Sequence, residues 1–231
     1  MIIKKFYILG GLVIISFTSP VFSQNTSTGG AINTNDGRVF LSPKRTIAPS
    51  EIIDGSPYYN GNDFKKVFIS GYSKNVQDLR YNSYSDEMEF SDGSDVFSIN
   101  KESGMIVNFT TLNKIYECVS YNIEGRDKFG YLVQLVINPD KYSLYKKEKT
   151  ELLKGEKSPN GITKDRNDYF VKDKELYILK NKDAFISFPK SKKEFMNKFN
   201  NSQMEVYLKQ NNINFKKESD LIKLISYMNT L

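Results

Sequence analysis

The sequence predicts an α+β protein: an antiparallel β-rich body, then a β-hairpin, then two to three C-terminal helices. Three observations predict it. Short apolar runs separated by turn residues fill the middle of the chain. Tyr131-Leu132-Val133-Gln134-Leu135-Val136-Ile137 is nearly continuously apolar, the pattern of a central strand covered on both faces. After Asn181 the apolar spacing becomes that of a helix.

The chain has 231 residues. Its start reads as an export signal over residues 1–23. Lys4 and Lys5 form a positive region, and Phe6 to Phe17 is an apolar run broken by Gly10, Gly11 and Ser16. The run is too short for a spanning helix, which needs about 20 apolar residues. Val21 and Ser23 place the cut between Ser23 and Gln24. The expected location is the periplasm or the exterior, with no transmembrane segment left after cleavage. Residues 24–60 are rich in Asn, Ser, Thr, Gly and Pro, and read as a flexible or extended segment. A short ordered piece is expected at Val39-Phe40-Leu41.

The β-rich body is expected over 61–147. Lys66 to Ser70 reads as a strand. Leu79 to Phe90 reads as one longer strand, with Tyr84, Met88 and Phe90 on one parity. Asp92-Gly93 is a hairpin turn signal before Val96 to Ile99. Met105 to Phe109 follows, and Ile115 to Tyr121 pairs with Gly130 to Ile137 around Gly125. Tyr142 to Lys146 pairs next. Residues 148–167 carry Gly155, Pro159 and Gly161 and read as a linker. Residues 168–231 form the last unit. Asp168 to Lys172 and Glu175 to Leu179 read as a hairpin. Asn181 can cap a short helix that Pro189 ends. Ser191-Lys192-Lys193-Glu194 is a capping-box pattern ahead of a helix. Gln203 to Gln210 and Glu218 to Asn229 follow, the last with a stripe of Leu221, Ile222, Leu224, Ile225 and Met228.

Composition narrows the chemistry. There is no histidine, no tryptophan and one cysteine. Histidine-dependent nucleophilic triads and the usual zinc ligand sets are thereby excluded. Cys118 has no partner for an internal disulfide, and reads as a buried, inert thiol in a strand. Ser98/Lys101, Ser143/Lys146 and Ser187/Lys190 match the S-x-x-K spacing of a Ser-Lys dyad, but three matches in a Lys- and Ser-rich chain make the pattern unspecific. No cofactor is expected.

Charge is uneven. Removing residues 1–23 lowers the net charge from +6 to +4. Residues 24–139 carry 11 basic and 14 acidic residues, and residues 140–231 carry 20 basic and 13 acidic. The basic C-terminal part can face an acidic surface or a cell-envelope protein. Few of the basic residues are arginine, which together with export points away from nucleic acid. Contact residues are expected among Arg80, Tyr81 and Asn82 and among Lys190, Lys192 and Lys193. The cluster Asp86, Glu87, Glu89, Asp92 and Asp95 admits two further readings. Carboxylates at these positions can hold calcium, or Asp86, Glu87 and Glu89 can serve a glycan hydrolase. Solvated acids around a turn are the plainer reading.

The block Arg80-Tyr81-Asn82-Ser83-Tyr84-Ser85-Asp86-Glu87-Met88-Glu89-Phe90 is distinctive, as are Gly55-Ser56-Pro57-Tyr58 and the ending Asp220 to Asn229. Over residues 55–231 the chain resembles a family of exported Gram-negative bacterial proteins of unknown function, with an R-Y-N-x-Y-x-D-E-M-E-F block and a lysine-rich helical C-terminus. The resemblance implies export and a β-then-α layout. It implies no catalytic residue. The leading expectation is a non-enzymatic exported protein that binds an envelope component or a partner protein.

Overall fold

The structure is a computed structural model that describes residues 32–34, 37–39, 41–43, 52–70, 78–92, 95–157, 165–182 and 184–231. The expected export signal and its cleavage site lie outside them. In chain order the strands are β1 (Ile32–Thr34), β2 (Gly37–Val39), β3 (Leu41–Pro43), β4 (Ile53–Asp54), β5 (Phe68–Ile69), β6 (Arg80–Asn82), β7 (Glu87–Asp92) and β8 (Asp95–Ile99). They continue with β9 (Ile106–Phe109), β10 (Lys114–Ile123), β11 (Arg126–Val136), β12 (Tyr142–Lys147), β13 (Thr150–Leu153), β14 (Asp168–Lys172), β15 (Leu176–Asn181) and β16 (Ala184–Ser187). Helices α1 (Lys192–Phe199), α2 (Ser202–Gln210) and α3 (Glu218–Met228) close the chain.

The main sheet has seven strands in the order β16-β15-β12-β11-β10-β9-β5, and every neighbouring pair is antiparallel. A second sheet, β3-β8-β7-β6, is also antiparallel. The β-rich α+β class expected from the sequence is what the chain adopts. The long hairpin β10–β11 is its spine, in the register Cys118 opposite Tyr131. Alternation sends Tyr131 and Val133 to one face and Leu132 to the other, and all three are buried.

One face of the spine is covered twice. At the β9–β10 end, Leu79 and, from the second sheet, Tyr81, Met88 and Phe90 pack on Val107, Tyr116, Cys118 and Tyr131. At the β12–β15 end, the helices lay Phe195, Met204, Leu221, Leu224 and Ile225 on Leu144 and Leu179. Each fully buried aliphatic side chain contributes about 1.5–3 kcal/mol. The other face is concave. The sheet curls until β16 returns close to β10, where Phe185 packs against Tyr121 and Tyr145. Val119, Ile123, Leu132 and Ile178 fill the concavity.

Local chemistry explains the helix starts. Ser191 Oγ accepts from the Glu194 amide, while Glu194 accepts from the Lys190 amide, a reciprocal cap one residue out of register. Asn201 caps α2 through the amides of Gln203 and Met204. Helix α3 has no side-chain cap, but Glu218 and Asp220 lie in its first turn, where acids meet the positive end of the helix. No helix among the described residues is long and apolar enough to cross a membrane.

Several expectations need correction. Leu79 to Phe90 is not one strand: β6 and β7 are joined by a turn over 83–86. Asn82 Oδ1 accepts from the amides of Tyr84 and Ser85, and Asp86 takes a left-handed conformation (φ 60°). A hairpin does precede the helices, but β15 and β16 form it. β14 instead pairs antiparallel with β13 and parallel with β4. Residues 148–167, expected to be a linker or loop, include β13. Ala184 to Ser187 is a strand rather than a helix, because the β15 edge offers it a full ladder. The segment 24–60, expected to be flexible or extended, contributes the short strands β1 to β4, and β3 pairs with β8.

Candidate functional site

A cavity of about 470 Å³ opens at one end of the concave sheet. Its floor and walls come from two ladder positions, Tyr121 opposite Lys128 and Lys147 opposite Leu176, closed over by the turn that carries Ser83, Tyr84 and Asp86. A mouth of this kind is a common ligand site in curled sheets. Alternation past the end of β12 decides which charges reach it. Lys147 and Lys149 line the cavity, whereas Lys146 and Glu148 turn away. Lys128 and Lys174 complete four lysines, set against Asp86 and Asp173. The ammonium groups of Lys128 and Lys174 have no carboxylate partner among the described residues. Tyr84 and Phe129 add aromatic surface at 47% and 44% exposure.

Asp86 organises the inner wall. Its Oδ1 accepts from Lys147 Nζ at 2.5 Å, from the Tyr81 hydroxyl at 2.7 Å and from the Tyr131 amide at 3.3 Å. Its Oδ2 pairs with Lys101 at 3.3 Å. Lys147 also donates to the Tyr131 carbonyl at 3.1 Å. Burial lowers the Lys147 pKa, and Asp86 works against that shift. Burial, reinforced by Asp86, pushes Tyr81 well above the usual phenol value.

Gly130 makes room for this arrangement. A Cβ there would sit 1.8 Å from Asp86 Oδ2 and 2.9 Å from its Cγ. Gly130→Ala is therefore expected to expel the carboxylate from Lys147 and cost about 2–3 kcal/mol, read as a drop in the urea midpoint at unchanged slope. An unchanged midpoint would show that the turn shifts freely.

The residues singled out in the sequence divide. Arg80 is structural: it pairs with Glu89 at 3.0 Å, and its guanidinium lies over Tyr58 at 4.0 Å and Phe64 at 4.3 Å. Asn82 is buried and donates to Glu89 Oε1 at 2.6 Å. Tyr81 is buried but touches the site through Asp86. Lys190, Lys192 and Lys193 are exposed at the start of α1, away from the cavity's lining, and Lys192 donates to the Leu208 carbonyl.

The acidic cluster does not converge. Glu89 is fully buried against Arg80, Asn82 and Tyr58. Glu87 accepts from Ser85 and Ser98. Asp92 and Asp95 face each other across the ladder, exposed. No group of three or more acids or cysteines is placed to hold a metal ion among the described residues. The S-x-x-K pairs separate as well. Ser98 and Lys101 bind different carboxylates, Ser143 donates to the Asn138 carbonyl, and Lys146 pairs with Glu218 at 2.5 Å. The Ser187 hydroxyl is buried, while Lys190 is exposed. Cys118 is fully buried, and burial pushes its thiol up to about 11, so it stays protonated near neutral pH.

Lys128, Lys147, Lys149, Lys174 and Gly130 were not singled out by sequence. The signal available was the run Lys146-Lys147-Glu148-Lys149 directly after the apolar strand, where alternation forces charges onto both faces. Comparisons with family models, curated proteins and solved structures found no match. Fold and site alone therefore define the class: a curled antiparallel sheet, backed by a second sheet and three helices, with a lysine-lined mouth.

Proposed function

We propose that the chain is an exported, non-enzymatic binding protein, and that its lysine-lined mouth takes an anionic group of a cell-envelope component. The observation that carries this is the convergence of four lysines and two exposed aromatic rings on one cavity. Lysines supply attraction at a distance, and the rings supply contact area once the ligand is seated. The carboxylates nearby support binding over hydrolysis. Asp86 is held between two ammonium groups and also accepts from the Tyr81 hydroxyl and the Tyr131 amide, so its oxygens are engaged within the chain rather than turned to a substrate.

The test is retention of the full chain on vesicles containing anionic phospholipid and on an acidic polysaccharide, at low and high salt. Binding is expected at low salt and release at high salt. Reversing Lys128 and Lys174 to glutamate is expected to weaken binding about tenfold, since two rim charges are worth about 1–2 kcal/mol together. Reversing Lys190, Lys192 and Lys193 is the comparison. A larger loss from that second variant would move the docking face to the start of α1 and sink the cavity as the binding site.

A further inference from the structure

Glu148 is the carboxylate that turns away from the cavity, and its side chain is 0% exposed. Three groups meet there. Lys114 Nζ lies 2.5 Å from Glu148 Oε1 and 2.6 Å from Asn60 Oδ1. Asn60 Nδ2 lies 3.4 Å from Glu148 Oε2. The Tyr116 hydroxyl donates to Glu148 Oε2 at 2.6 Å and accepts from Asn60 Nδ2 at 2.6 Å. The surroundings are aromatic: Lys114 Nζ is 5.3 Å from the centre of the Tyr59 ring, and Tyr116 packs against Tyr81 and Phe109. A primary amine, a carboxamide and a buried carboxyl group thus share one point, contributed by segments 54 and 34 residues apart.

We propose that Lys114 and Asn60 condense into an intramolecular isopeptide bond, with Glu148 as the proton carrier. The Lys114–Glu148 ion pair first passes one proton to the carboxylate, leaving a neutral amine and a neutral acid. Lys114 Nζ attacks Asn60 Cγ. Glu148 gives its proton to Nδ2 and takes one from Nζ. The Cγ–Nδ2 bond breaks, the Nζ–Cγ amide remains, and ammonia leaves. No oxidant, reductant or co-reactant is needed. Holding amine and carboxamide together supplies the effective concentration that an uncatalysed amide exchange lacks. Lys146 lies 3.7 Å from Glu148, and its charge is also matched by Glu218 at 2.5 Å and Glu175 at 3.4 Å. The bond would tie the segment before β5 to the start of β10, in a chain whose one cysteine cannot form an internal disulfide.

The test is peptide mapping of the folded full chain by tandem mass spectrometry, with intact mass measured beside it. The expected result is a branched peptide joining the fragments that contain Asn60 and Lys114, and an intact mass short by one ammonia. Intact mass alone does not decide. Succinimide formation at Asn60-Gly61 also releases ammonia, as does cyclisation of Gln24 if it becomes the amino terminus. Lys114→Arg keeps the charge and removes the primary amine, so it is expected to lose the branched peptide. Glu148→Gln keeps the shape and removes the proton carrier, and is expected to stay linear while retaining the wild-type circular dichroism. Linear peptides at both positions in folded wild-type protein would overturn the proposal. So would an ammonia deficit that persists undiminished in Lys114→Arg. A branched peptide in Glu148→Gln would remove Glu148 from its role.

Discussion

Asp86→Ala is expected to lower the free energy of unfolding by about 3–4 kcal/mol, among the larger effects a single substitution can have. The carboxylate pairs with Lys147, whose side chain is 14% exposed, and with Lys101 at 24%. Removing it leaves two ammonium groups close together with no counter-charge. Lys147 keeps its bonds to the Tyr131 carbonyl and the Tyr81 hydroxyl, which holds the cost near the lower end of the range for a broken buried pair. The backbone adds a second part. Asp86 sits at φ 60°, a region that Asp tolerates better than Ala and that Gly enters freely. Asp86→Gly is therefore expected to be milder than Asp86→Ala by about 1 kcal/mol. Combining Asp86→Ala with Lys147→Met is expected to cost less than the sum of the two, because the second change removes the orphaned charge. Equilibrium urea unfolding of the four proteins measures this cycle. Additive losses would show that the pair is not coupled.

Alkaline pH is expected to unfold the protein cooperatively, starting at about pH 10. Burial raises the phenol of Tyr121 to about 12 and raises those of Tyr81, Tyr116, Tyr145 and Tyr177 as well. Above pH 10 the unfolded chain loses these protons and the folded chain keeps them. The folded state then binds more protons, so stability falls as pH rises. Tyr121 alone, raised to about 12, removes about 2 kcal/mol by pH 12. Cys118, raised to about 11, acts in the same direction from about pH 9 upward. Lys147, whose pKa is lowered, acts in the opposite direction below 10.5, but it is one group against several. The measurement is tyrosinate absorbance and circular dichroism followed together. The buried tyrosines are expected to ionise in one step that coincides with the loss of the far-ultraviolet signal. Gradual tyrosine ionisation centred on pH 10, with the far-ultraviolet spectrum unchanged, would show that the rings are reachable by solvent in the folded state.

Legibility from sequence differed by element. The β10–β11 hairpin, the antiparallel pairing of β7 with β8, the α1 cap and the α3 stripe follow local signals. Asp86 was visible as an acid but not as a turn residue. The alternation of Tyr84, Met88 and Phe90 hid the break, although Asn82, Ser83, Ser85 and Asp86 are all turn formers. Ala184 to Ser187 went the other way: a short apolar run is compatible with helix or strand, and the exposed edge of β15 decided it. Asp168 to Lys172 was recognisable as a strand, but its partners β13 and β4 were not.

By itself the sequence determined the α+β class, the order of β before α, most strand positions and the starts of the helices capped by Ser191 and Asn201. All of these depend on periodicity, turn chemistry and capping within a few residues. Tertiary structure alone decided which charges are buried and what they meet. Asp86 finds Lys147 61 residues away, Glu148 finds Lys114 34 residues away, and Asn60 finds Tyr116 56 residues away. The curl that brings β16 back to β10 is equally non-local, and it places Lys128, Lys147, Lys149 and Lys174 around one cavity. Such juxtapositions arise from the packing of faces, which leaves no mark in any short window of sequence.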